Sequence, residues 1–482
     1  MTEARFHAYE GTDQLDVDLD VDCDVVVVGG GITGLAAAWY VRQNRPDATV
    51  VVLEACPRIG GKIASATVAG HRVDSGPDAF LARVPGAVEL AEELGLRDRL
   101  VAPATGRAWV WSRGSLRSLP AGLVLGVPSR LGPLARSGIV SWRGLARTAL
   151  DEVLRTRSDH DDPTVADAVG ARLGREVVER LVDPLLGGIN ASDCDRLSLA
   201  SAAPNVAAAA ASNHLMRSLR ASDAARLRGQ IGVEQSQPVF LAPATGIATL
   251  VTELARQLPN GTVRPNHTVR SIEREPAGTW LVTSTGGSLR SRSVVMATPA
   301  SVTAALVRPT SVPAADELAS IRTASVALTL LAYRTADVAL PAGSGMLVPR
   351  VEGRLLTASS WWHQKWPHLV TPGTVLVRAS AGRDGDTRFT DLADDELVRA
   401  LTKDLAHMVG LRAAPIDAQV ARWPGGFPQY DSGHAARVER AEAHLRSDAP
   451  GLVLAGASYR GIGIPACIRS AKAAALAISA AT

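Results

Sequence analysis

The chain has 482 residues, 46% of them hydrophobic and 21% charged, with a formal net charge of +3. That length builds roughly two or three domains around at least one large core, and so small a charge calls for no nucleic-acid partner. The four cysteines (Cys23, Cys56, Cys194, Cys467) are isolated, without a CxxC pair, which argues against a disulfide framework or a zinc site and fits a reducing, cytoplasmic compartment.

Residues 1–23 are rich in Asp and Glu and carry neither the basic nor the apolar stretch of a signal peptide, so they are expected to form a disordered acidic arm. No apolar run reaches the ~18 to 20 residues of a membrane span. Val25 to Val28 then predicts a parallel strand buried on both faces. It runs into Gly29-x-Gly31-x-x-Gly34 and the helix formers Leu35 to Arg42. In such a loop the first glycine permits the turn, the second lets backbone N–H groups approach a pyrophosphate, and the third lets helix and strand pack closely. A second strand, Thr49 to Leu53, delivers Glu54 where a carboxylate binds a ribose hydroxyl. Strand, glycines, helix, strand and acid in register make a dinucleotide site. The next stretch, Arg58-Ile59-Gly60-Gly61-Lys62, suggests that backbone and cation follow an extended ligand such as FAD.

Val68 to Val73 reads as one strand, followed by the turn-rich Asp74-Ser75-Gly76-Pro77-Asp78-Ala79-Phe80. Val84 to Leu96 has helical spacing, and Arg107 to Leu119 reads as a hairpin around Gly114. Pro120 to Leu150 mixes apolar residues with Pro, Gly and arginines, as in a solvated helical subdomain. Ser158 to Asp162 reads as a solvated loop, not a metal site. Thr164 to Leu186 is predicted helical, broken by Gly187-Gly188-Ile189-Asn190, and Ala200 to Leu227 is helix-prone. Strand, turn at Gly246 and helix follow over Phe240 to Leu258, then strands at Val263 to Glu273, Trp280 to Thr283 and Val294 to Met296. Four more strands (Ser325 to Tyr333, Gly345 to Val348, Leu355 to Ser359, Thr374 to Ser380) precede a helix over Asp394 to Val409. The chain closes on a buried strand, Gly451 to Gly456, a glycine-rich turn and a helix from Pro465. The N-terminus of that helix is placed to stabilise negative charge, such as the N1–C2=O edge of a reduced flavin.

With VVVVGGGITGLAAAW and GGK, DSGPDAF, PLLGGINASDCDRLSLASAAP, ATPA, RWPGGFPQYDSGH and LAGASYRGIGIPACIRSA, the chain resembles the oxygen-dependent porphyrinogen oxidases of haem synthesis, amine-oxidase-like flavoproteins. The resemblance implies an α/β and α+β architecture: a discontinuous Rossmann-like FAD-binding domain (24–80, 236–300, 448–482), a mixed-sheet substrate domain (81–106, 301–447) and a mainly helical insertion (107–235). It implies non-covalent FAD held by Gly29, Gly31, Ile32, Thr33 and Gly34, by Glu54, Arg58, Gly60, Gly61 and Lys62, and by Gly76 and Pro77. Val269, Ala297, Gly456, Gly463 and Ile464 complete that set, with Trp423 near the flavin. Arg107 falls where the family binds a propionate, and Ser192 where it usually has glycine near the reacting methylene. Leu347, Thr357 and Ser380 align with positions that clamp the macrocycle. The implied reaction passes hydride from a porphyrinogen to the flavin, with dioxygen as acceptor and hydrogen peroxide as product. Coproporphyrinogen III is expected ahead of protoporphyrinogen IX because two of the three clamp positions are polar. No residue stands out as a catalytic base. Peripheral membrane contact, or contact with the next enzyme, ferrochelatase, stays open. The rival expectations are a flavoenzyme acting on amines or a carotenoid, and a porphyrin-binding flavoprotein without turnover.

Overall fold

The structure, a computed structural model, describes residues 23–154, 161–229 and 238–481. The expected acidic arm, except Cys23, and most of Ser158 to Asp162 lie outside these residues.

The valine run forms the strand Cys23–Val28, inside a seven-stranded sheet. Val50–Leu53 and Gly287–Met296 flank it in parallel. Val25 and Val27 join the core under the helices Ile32–Asn44 and Ile464–Ala481, while Val26 and Val28 join the core under Ala300–Val307, Val312–Ala319 and His434–Asp448. Alternation across a strand covered on both faces is why β-branched residues repeat without a polar interruption. Gly287–Met296 is shared: its first half pairs with Trp280–Ser284, and its last three residues pair in parallel with the chain-terminal strand Leu452–Leu454. Segments more than 400 positions apart therefore build one α/β unit with helices on both faces.

A second seven-stranded sheet runs in the order Asp417–Pro428, Thr323–Arg334, Thr374–Ala381, Leu356–Trp361, Gly345–Leu347, Trp109–Ser112 and Ser115–Ser118. One face packs on the helix Asp394–Val409 through Leu397, Leu401 and Leu405. The other turns toward the dinucleotide unit at one end, where Leu330, Ala332 and Leu376 join its core, and toward the helical cluster at the other, through Val110 and Leu347. That cluster includes Leu131–Ser137, Trp142–Ala149, Val165–Leu173, Pro204–Ala210 and Leu215–Gly229. Among the described residues no helix is long and apolar enough to cross a membrane.

Local structure departs from the sequence reading at several points. Val68 to Val73 is not one strand but a hairpin, Ser65–Val68 against His71–Asp74, because Ala69 and Gly70 both take positive φ (45° and 77°). The helix expected over Val84 to Leu96 is confined to Ala87–Glu93. The helix over Thr164 to Leu186 breaks early, at Gly174 (φ 91°), and then continues through Gly187 as a π-helical stretch, Val178–Gly187, containing Pro184. Gly187 and Gly188 are helical, not breakers. A Cβ on Gly187 would come within 2.9 Å of Asp183 Oδ1 and 3.0 Å of Ser192 O, so glycine is kept there for space. The helical run ends at Ala191, in the left-handed region at φ 50°.

Candidate dinucleotide site and the cleft beside it

The three glycines of the first loop do different work. Gly29 turns the chain at φ 109°, and a Cβ there would lie 2.7 Å from Ala297 O. On Gly34 a Cβ would drive into the Gly29 carbonyl, so this glycine sets how closely helix and strand pack. Gly31 is different. A Cβ there meets nothing nearer than Gly61 Cα at 3.8 Å, in a backbone of φ −73° and ψ 177° open to any residue. The protein leaves the space above Gly31 clear. The helix Ile32–Asn44 has no side-chain cap and no acid in its first turn, so its first N–H groups, those of Ile32 and Thr33 among them, face an anion site without a resident anion of the chain.

Glu54, 9% exposed, accepts from Gly30 N (2.6 Å) on one oxygen and from Cys56 N (2.8 Å) on the other. Each carboxylate oxygen keeps a lone pair for a hydroxyl. The second glycine pair closes on the first: Gly60 N donates to Gly30 O (2.8 Å), and Gly31 and Gly60 form a parallel bridge. Behind the acid, His267 N donates to Glu54 O and Asn266 N to Cys56 O, which brings the strand Val269–Arg274 up to this loop. Arg58 directs its donors at Gly61 O (2.6 Å), Ile59 O and Ile63 O, and its guanidinium lies 5.8 Å from the Trp423 ring. It buttresses the loop it belongs to. Trp423 is fixed by its Nε1 donating to Ser75 O (3.0 Å). Lys62 is open to solvent yet sits deep between segments, where burial lowers its ammonium pKa and the Cys467 thiol is a neighbour. A Cβ on Gly456 (φ 123°) would stand 3.7 Å from Thr33 Oγ1, and Gly463 O receives Cys467 N in the first turn of the C-terminal helix. Ile464 begins that helix, so two helix N-termini converge on this loop set.

Gly76 lies against Lys62, whose carbonyl oxygen a Cβ on Gly76 would strike. Gly76 O is held by Arg378 Nη1 (2.8 Å). Two residues on, past Pro77, Asp78 is 9% exposed and meets Lys365 Nζ (2.7 Å), Arg378 Nη2 (3.2 Å) and Trp366 Nε1 (3.2 Å). Burial alone would push its carboxyl up, but the Arg378 guanidinium and the Lys365 ammonium hold it well below the usual carboxylate range. Sequence reading placed this acid in a motif without giving it a task.

Asp74 behaves oppositely. Burial pushes its carboxyl up to about 6, against the Ile247 N–H bond (3.0 Å) that favours the ionised form; Asp78 adds to the rise and Arg378 opposes it. The folded state therefore binds more protons than the unfolded one between the ordinary aspartate value and about 6. Asp74 favours the folded state most below that window, and the contribution is lost as pH rises through it. Urea unfolding across this range should show that loss in the wild type and a flatter profile in Asp74→Asn; parallel profiles would count against it.

The open face of the second sheet carries the other nominated residues. Register places Val110, Leu347, Ala358, Ser380, Leu328 and Ala421 in one row across six strands. Thr357 is not in it. A register shift between Leu356 and Ala358 moves Thr357 out of the row, and its hydroxyl donates to Ser380 O (3.1 Å). Thr357 is the extra residue of this bulge, so Thr357 and Ala358 together stand opposite Ser380. Ser192 is 3% exposed, and its hydroxyl turns back onto Asn190 O (3.1 Å). Arg350 Nη2 binds Ser192 O (3.4 Å), and Asp384 N binds Ala191 O (2.7 Å), so this turn is held from the ends of two strands of the sheet. Ala191, Ala324 and Val326 pack with Trp423 and Phe427, which brings the turn to the same wall as Trp423. Arg107 is exposed at the sheet rim; its carbonyl receives Ser344 N (2.7 Å), and its guanidinium makes no hydrogen bond or ion pair among the described residues.

Residues 32–479 match the family described as flavin containing amine oxidoreductase. The chain is 34% identical over 455 residues to the coproporphyrinogen III oxidase of Bacillus subtilis (strain 168), covering 93% of this chain and 96% of that one. It is 36% identical over 451 residues to the protein of the same name from Mycobacterium tuberculosis (strain ATCC 25618 / H37Rv), covering 92% and 95%. A crystal structure from Exiguobacterium sp. 255-15, provisionally named a protoporphyrinogen oxidase, superposes with a TM-score of 0.86 at 29% identity, over 96% of this chain and all of that one. Glycine loops, acid and converging helix ends thus agree with likeness along the whole described chain: it belongs to the flavin-containing amine oxidoreductases, and among them to the porphyrinogen oxidases.

Proposed function

We propose that this chain oxidises coproporphyrinogen III to coproporphyrin III, with FAD as the hydride acceptor and dioxygen reoxidising the cofactor. The likeness to proteins of that name over more than nine-tenths of the chain carries the reading. When bound, the flavin supplies the two-electron chemistry. The chain's part is to hold and orient. Gly31 and the first turn of Ile32–Asn44 would face the pyrophosphate, Glu54 the ribose, and the N-terminus of Ile464–Ala481 the negative edge of the reduced ring. Trp423 and the turn at Ala191 and Ser192 would wall the space between cofactor and macrocycle. No side chain is placed as a base.

The polar argument for the four-propionate substrate now rests on Ser380, not on Thr357, whose hydroxyl is already used. Ser380 and Ser360 sit on the open face with Ala358 between strands. A macrocycle with vinyl groups there would leave hydroxyls without partners, at about 1 to 3 kcal/mol each by mutational measures. Steady-state oxygen uptake with both porphyrinogens on one preparation tests the choice. Higher kcat/KM for coproporphyrinogen III is expected; a clear preference for protoporphyrinogen IX overturns the substrate while leaving the family intact. Absence of uptake with either leaves a binding protein as the reading.

A further inference from the structure

We propose that Tyr430 is a positioning residue that fixes the flavin-side loop 457–461 and ties it to the turn on the substrate side. The Tyr430 hydroxyl, in a residue 3% exposed, donates to Ala457 O (2.6 Å) and accepts from Gly461 N (2.7 Å). A phenol has one proton to give, so its partners fix which way it points. The two backbone groups it joins have no other hydrogen bond among the described residues. The Tyr430 ring stacks on His434 at 4.0 Å and 16°. His434 is buried, and its Nε2 meets Tyr459 O at 2.9 Å. Positions 457, 459 and 461 are thus each gripped by one of two stacked rings, just before the helix that starts at Ile464. Gly461 takes φ 122°, a conformation the chain adopts only with glycine at low cost, so the loop has a shape that needs holding.

The same segment is fastened on its other side. Tyr430 O accepts from Ser198 N (2.8 Å) and Arg196 O accepts from Ser432 N (3.0 Å). Main chain therefore binds residues 196–198, which follow the Ala191–Ser192 turn, while side chains bind the loop before the C-terminal helix. Through this segment the two walls of the site share one support.

The proposal rests on the FAD site described above, and the experiment separates the two. Stripped wild-type apoprotein is titrated with FAD by flavin fluorescence; failure of the wild type to bind overturns both. With wild-type binding in hand, Tyr430→Phe is expected to bind FAD at least roughly tenfold more weakly, about 1.4 kcal/mol. Its residual bound flavin should have an altered visible band shape, measured at a temperature where circular dichroism shows it folded. Anaerobic flavin bleaching by porphyrinogen should slow with little change in KM. A dissociation constant within about twofold of wild type with a superimposable spectrum overturns the role of Tyr430 alone. Hydrogen exchange on wild-type apoprotein gives a test without a variant. The Gly461 amide should be as protected as amides inside the C-terminal helix; rapid exchange there overturns the clamp.

Discussion

Replacing Asp78 with asparagine should cost the folded protein about 3 to 5 kcal/mol, the usual result of stranding a buried partner charge. Asp78 is the common acceptor for Lys365 and Arg378, whose side chains are 17% and 13% exposed. Asparagine keeps the shape and one acceptor oxygen but leaves two largely covered cations facing each other without a counter-ion. The damage should reach the cofactor, because Arg378 also holds Gly76 O beside Lys62. Urea unfolding and flavin content of the purified variant measure both effects. A second change, Lys365→Met in the Asp78→Asn background, should recover part of the loss, since it removes one stranded charge. The carboxyl is held below its ordinary range, so its stabilising contribution is present above that range and is lost as pH falls through the folded value. The gap between wild type and variant should therefore persist at mildly acid pH and close only in stronger acid. A loss below about 1 kcal/mol, the level of an exposed ion pair, would mean that the cluster is solvated in solution.

The dinucleotide half was legible because its determinants are local. Four valines, three glycines and one acid act within about one βαβ unit, where spacing translates directly into geometry. The second sheet was half legible. Its longest omission, Asp417–Pro428, contains Pro424, Gly425 and Gly426, which read as breakers. They form an irregularity opposite Ala324 and Val326, with Gly425 at φ 57° and its N–H on Ser325 Oγ. A strand can absorb such residues where the partner strand also shifts. The shift at Thr357 is of a related kind: one inserted residue changes the pairing beside Ser380, and no pattern of apolar residues marks it. Asp78 and Tyr430 were invisible as functional groups because their partners sit on other elements of the chain. Lys365 and Arg378 lie 287 and 300 positions from Asp78, and burial of a carboxylate between them follows only from the packing of two sheets.

Gly31→Val should give a folded protein that purifies without flavin. In the glycine loop only Gly31 combines an ordinary backbone conformation with free space, its Cβ standing 3.8 Å from the nearest protein atom. Valine is therefore tolerated by the chain itself, and its methyl groups fill the volume that a pyrophosphate needs to reach the N–H groups of the helix start. Gly34→Ala is the counter-case. Its Cβ would enter the Gly29 carbonyl, so helix and strand must separate, and the strand in question sits at the centre of the sheet. That variant should lose thermal stability in the apoprotein as well as cofactor. Circular dichroism melting of both apoproteins, beside flavin absorbance of both as purified, separates the roles. The expected pair is wild-type melting with no flavin for Gly31→Val, and depressed melting for Gly34→Ala. Full flavin content in Gly31→Val would displace the pyrophosphate from this loop. Equal loss of apoprotein stability in both variants would show that Gly31 is held for packing as Gly34 is, and that the clear space above it is not reserved for a ligand.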